Sequence, residues 1–161
     1  MADGKLLSVY LNDHLAGASL GIELTRRSLR SNRGTELGRF LEELLAEIVE
    51  DRDALETAMG RLGVRKSRVK PAFAVAVERV GRFKLNGRLT GYSPLSRVLE
   101  LEGLTLGIHG KLSLWRNLRT SDVARRIPDL DLERLIERAE SQLRRVEEHR
   151  LAAARVAFAG K

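Results

Sequence analysis

The 161-residue chain has no cysteine, which excludes disulfides, thiolate zinc sites, iron–sulfur clusters and cysteine nucleophiles at the outset. Three prolines leave long stretches without a helix breaker, and aromatic residues make up only 4%, too few for a base-stacking surface. No run of transmembrane length is free of charge. The opening MADGKLLSVYLNDH is interrupted by Asn12, Asp13 and His14, where a signal peptide keeps an apolar core. A cytoplasmic protein with no membrane partner is therefore expected. Nothing alternates at period two for long enough to make a strand, and neither a phosphate-binding loop nor a serine-nucleophile motif occurs.

What the chain does have is 43% apolar and 32% charged residues, dominated by Leu, Ala, Glu and Arg. That balance predicts a single all-α domain over 1–161. Helices are expected over about 5–31, 36–62, 94–119 and 132–158, with a shorter amphipathic one over 67–85. Thr35 before the second, Gly63 after it, and Ser93-Pro94 before the third are ordinary stop and start signals. Four helices of similar length predict a four-helix bundle. The long, mostly helical connection between the second and third can travel the bundle's length, giving a ferritin-like up-down-down-up order.

The net charge of +7 is uneven. Between Arg61 and Arg97 stand ten Lys or Arg against one acid, Glu78, so the remaining 19 bases and 21 acids nearly cancel. Arg65, Lys66, Arg68, Lys70, Arg79, Arg82 and Lys84 form a candidate patch for an anionic partner. No nucleic-acid readout motif accompanies them, which argues against nucleic acid. A solvated helix face is the plainer reading.

At 100° per residue, several polar residues fall on apolar arcs. His14 lies within Leu6, Leu7, Tyr10, Leu11, Gly17, Ala18, Gly21 and Leu24, and Asp51 within Leu37, Phe40, Leu41, Leu44, Ile48, Leu55 and Met59. The third helix is apolar nearly all round, which marks it as the most buried. On it Glu102 and His109 share a stripe with Leu95, Leu99 and Leu106. Arg150 sits on the apolar face of the last helix, bordered by Gln142 and Glu147. Counting heights along the bundle places His14, Asp51, His109 and Gln142 at one level, and Glu102 with Arg150 about two turns away. The expectation is a His14–Asp51–His109 cluster with Glu102 nearby, and a buried Glu102–Arg150 ion pair. Gly103, Gly107 and Gly110 read as points of close helix–helix approach.

A satisfied polar network that fixes helix register explains such residues without any chemistry. Alternatively, two imidazoles and a carboxylate could hold iron or manganese. Di-iron bundles, however, carry Glu-x-x-His on two helices, and that spacing is missing from this chain.

The blocks YLNDHLAGASLGIEL (10–24), EIVEDRDAL (47–55), LELEGLTLGIHGKLSLW (99–115) and RAESQLRRVEEHRLAAA (138–154) resemble an uncharacterised family of small bacterial helical proteins. The resemblance implies a ferritin-like fold without an assigned activity, and it places His14, Asp51, Glu102, Lys111 and Arg150 in shared blocks. The function expected is that of a non-enzymatic binding or accessory protein with a degenerate or absent di-iron site and no confidently implied cofactor, and a homodimer as its assembly. The alternatives are a metal-binding, oxidase-type protein and an anion or nucleic-acid binder acting through 61–97.

Overall fold

The computed structural model describes residues 2–67 and 91–159. Among them are four long helices, α1 (Ala2–Ser31), α2 (Glu36–Arg61), α3 (Pro94–Thr120) and α4 (Leu132–Ala157), a short 3₁₀ helix (Asp122–Arg126), and no strand. The all-helical expectation is met, and each long helix ends close to where the caps place it. The helix expected over 67–85 lies outside the described residues except for Ser67. No described helix is long and apolar enough to cross a membrane.

Local chemistry explains the ends. The Thr35 hydroxyl accepts from the Gly38 backbone N–H, covering one of the free donors of the first turn of α2. A side chain at Gly38 is impossible in this turn, since a Cβ there would lie 2.2 Å from the Asn32 carbonyl oxygen. Gly63 follows α2 at φ 68°, the left-handed conformation that glycine adopts without cost. Ser93 and Ser96 form a reciprocal capping box at α3, with Pro94 in its first turn, and Asp131 caps α4.

Side-chain pairs give the registers. Arg27 meets Glu100, Leu24 faces Gly103 and Tyr10 meets Asn117, so α1 and α3 run antiparallel. Arg119–Glu133, Arg116–Glu140 and Arg150–Glu102 set α3 antiparallel to α4. Glu50–Arg138 and Glu47–Arg145 do the same for α2 and α4. One apolar cluster takes residues from all four helices, among them Leu11, Leu41, Leu101, Trp115 and Val146.

Two polar clamps hold the chain on either side of residues 68–90. Asn12, 5% exposed, donates to the carbonyls of Ser8 and Arg65 and accepts from the Ser67 N–H. Far along α1, Asn32 donates to the Tyr92 hydroxyl, which in turn donates to Glu100. Glu100 is 6% exposed and is neutralised by Arg27 at 3.0 Å. Burial pushes the Tyr92 hydroxyl pKa up, so it stays protonated and able to donate.

The rotation of α3 differs from the sequence reading. Its buried side carries Val98, Leu101, Leu104, Ile108, Leu112 and Trp115. The stripe of Leu95, Glu102, Leu106 and His109 faces outward, with Leu106 74% exposed. A helix with apolar residues on every side offers no contrast from which its rotation can be read. Packing of its largest side chain, Trp115, and the pairing of Glu100 with Arg27 select the face instead. The two faces separate by mutation: Leu104→Ala should cost about 3 kcal/mol in chemical denaturation, and Leu106→Ala less than about 0.5 kcal/mol.

Candidate functional site

Between α1, α2 and α3 lies a cavity of about 410 Å³. Its shape follows from missing side chains. Gly17, Ala18 and Gly21 of α1 line one wall, and Gly103, Gly107 and Gly110 of α3 line the other. A Cβ built on Gly17, Gly21, Gly107 or Gly110 meets no described atom within 4 Å; only at Gly103 does one touch a neighbour, the Leu24 side chain at 3.0 Å. Gly103 is thus a point of close approach, as expected, while Gly107 and Gly110 line a space, which corrects the reading for those two. Ile48 and Leu55 of α2, with Leu104, Ile108, Leu114 and Trp115 of α3, make the rest of the lining apolar.

One end is polar. The antiparallel register of α1 and α3 brings Tyr10, Asp13 and His14 level with Lys111, Leu114 and Trp115, while Asp51 and Arg52 enter from α2. Gly17 and Gly110 adjoin this end, and Gly21, Gly103 and Gly107 lie farther from it. His14 packs edge-on against the Tyr10 ring, with centroids 4.6 Å apart. Burial lowers the His14 pKa, against an opposing pull from Asp13.

Behind this end, a charge network joins α2, α3 and α4. Asp51 is 2% exposed and accepts from Lys111, from Gln142 Nε2 at 3.2 Å and from Arg138 Nε at 2.8 Å. Gln142, 0% exposed, also accepts from Lys111 and donates to Glu47 at 2.9 Å. Arg145 pairs with Glu47 and Arg138 with Glu50. Three carboxylates thereby face three cations, and no charge is buried alone. Burial pulls the Lys111 pKa below the usual lysine range, while Asp51 beside it pulls the other way.

The sequence candidates divide. His14 and Asp51 do line one cavity, and Gln142 joins Asp51 at that level. His109 is exposed and absent from the lining, so the expected His14–Asp51–His109 cluster does not form. Among the described residues no three His, Asp or Glu side chains are arranged to hold a metal ion. Glu102 does meet Arg150, at 3.9 Å, but the pair lies at the surface, with the Glu102 side chain 48% exposed, and Arg150 binds Glu147 more closely, at 2.7 Å. The expected buried pair is therefore corrected to a surface one. Of the basic patch, Arg68, Lys70, Arg79, Arg82 and Lys84 lie outside the described residues. Arg65 and Lys66 are exposed, and Lys66 pairs with Glu56.

The residue that takes the place expected of His109 is Lys111, two positions on. A signal for it was present: a lysine in a helix apolar nearly all round needs a partner, and it stands four residues before the only tryptophan. No family model, curated protein or solved structure matches the chain.

Two measurements probe the polar end. Asp51→Ala leaves the buried Lys111 ammonium without a carboxylate partner and should cost about 3–5 kcal/mol in urea unfolding, whereas Lys111→Met, which leaves Asp51 its bonds to Arg138 and Gln142, should cost clearly less. Because His14 is held below its ordinary value near 6.5, the unfolded chain binds more protons just below that pH. Its contribution is present above about pH 6.5 and lost as pH falls through the folded value. His14→Gln should therefore flatten the fall in stability between about pH 7 and pH 5 relative to wild type.

Proposed function

We propose that this chain is a non-enzymatic, ferritin-like helical bundle whose role is to bind a small, largely apolar molecule in the glycine-walled cavity. The observation that carries the reading is the set of four helical glycines, Gly17, Gly21, Gly107 and Gly110, that line the cavity and whose Cβ would meet no described atom within 4 Å. Each costs about 1 kcal/mol of helix stability relative to alanine. An unfilled space also forgoes the contacts that its walls would otherwise make. Both costs fall at one place, and both are offset when a ligand fills it. The volume lies within the range of small-molecule pockets, and apolar walls with a few polar groups at one end are the usual composition of such sites.

The ferritin-like order is part of this proposal, and the helix directions support it. With α1 up, the registers make α2 and α3 run down and α4 up. The Asn12 and Asn32 clamps lie about 30 Å apart along α1, so the chain between residues 67 and 91 joins opposite ends of the bundle. A bacterial origin and a cytoplasmic location belong to the same reading. The paired charges around Asp51 support a non-enzymatic role, because carboxylates and cations that bind one another across helices fix helix register.

Binding can be followed through Trp115, the only tryptophan and a residue of the cavity wall. Titration with 1-octanol should give a saturable change in its fluorescence and raise the melting temperature. Gly110→Leu, which places a side chain in the cavity, should raise stability by about 1 kcal/mol and abolish the response. A wild-type protein that gives no saturable response would remove the proposal.

A further inference from the structure

Two hydrogen-bond donors on the cavity wall are left over once the protein's own partners are counted. An ammonium carries three N–H groups. Lys111 directs one to Asp51 and one to Gln142, and none of the described residues takes the third. Trp115 is 0% exposed, and its indole Nε1–H has no partner among the described residues. A buried donor without an acceptor is costly, so such an atom calls for an explanation. Lys111 and Trp115 both line the cavity and are four residues apart on α3, which puts them on one face, one turn from each other.

Nearby groups add donors. Tyr10 accepts from Asn117 through its hydroxyl oxygen, which leaves the O–H free to donate. Arg52, also on the wall, bonds to its neighbour Asp53 at the surface. The Asp51 carboxylate is taken up by Lys111, Gln142 and Arg138. The polar end of the cavity thus carries Lys111 and Arg52 beside the carboxylates Asp13 and Asp51, and the donors left over there are those of Lys111 and Trp115, while the rest of the lining is apolar.

We infer that the cavity's ligand is a monocarboxylate with an apolar body, its carboxylate held between Lys111 and Trp115 and its body along the glycines. This rests on the cavity-binding reading above and specifies its ligand class. A carboxylate offers about four acceptor sites, enough to satisfy both orphaned donors, and an ionised acceptor strengthens each bond. A neutral alcohol has the same apolar body but lacks the charge that the ammonium favours. A protonated amine head has no acceptor to offer the Lys111 and Trp115 donors and is repelled by the Lys111 ammonium.

The test compares octanoate, 1-octanol and octylamine by isothermal titration calorimetry on wild type, Lys111→Met and Trp115→Phe. In wild type octanoate should bind about tenfold or more tighter than 1-octanol, and octylamine weakest. Both variants should lose most of that preference, read within each variant as the ratio of octanoate to 1-octanol affinity. Trp115→Phe retains an aromatic ring in the core, so it remains informative should Lys111→Met fold poorly; circular dichroism checks both. Equal binding of octanoate and 1-octanol by wild type, or a preference unchanged in the variants, would overturn the carboxylate assignment and leave cavity binding standing. Failure of all three probes to bind would overturn both.

Discussion

Neutralisation of the buried Asp51 carboxylate is the constraint around which three of the four helices are arranged. A carboxylate at 2% exposure has little water to solvate it, so the protein must supply the charge and the donors. Lys111 arrives from α3, Arg138 and Gln142 from α4, and Gln142 carries the connection on to Glu47. Because hydrogen bonds and ion pairs have narrow geometry, this cluster fixes the height and rotation of α2, α3 and α4 together. Apolar packing alone would tolerate small slides between such helices.

That fixed frame is what allows a space to persist beside it. Glycines on facing sides of α1 and α3 would ordinarily let the two helices close up, as Gly103 does against Leu24. The Asp51 network ties α3 to α2 and α4, while Arg27–Glu100 and Tyr10–Asn117 tie α1 to α3 near each end. The glycines between these ties are left facing a cavity. Lys111 serves both parts, since two of its donors belong to the network and its position puts it on the cavity wall. One side chain thus belongs both to the frame and to the cavity wall.

The chain's own caps made the helix ends legible: Thr35, Ser93 and Pro94 act locally, and local signals do not depend on the rest of the fold. Height along the bundle was legible for a similar reason, because the rise per residue is constant; Asp51 and Gln142 do meet, and α3 meets them within two residues of His109. Rotation was legible for α2, whose apolar arc is bounded and encloses Asp51. For α3 it was not. His109 and Lys111 differ by about 200° around the helix, and with apolar residues on both sides nothing in the sequence prefers one face. The same ambiguity carried Glu102 onto the buried side and hid the role of Trp115.

By itself, then, the sequence determined the helical state of the described residues, the limits of the four long helices among them, the burial of Asp51 and the level at which polar groups collect. These follow from capping chemistry, hydrophobic period and the constant helical rise, all properties of a single segment. Only the tertiary structure decided that Lys111 and not His109 answers Asp51, that Glu102 and Arg150 meet at the surface, and that the glycines face a cavity. Each of these depends on how one helix is turned against its neighbours, and that turn is selected by the fit of Trp115 and the pairing of buried charges across helices far apart in the chain.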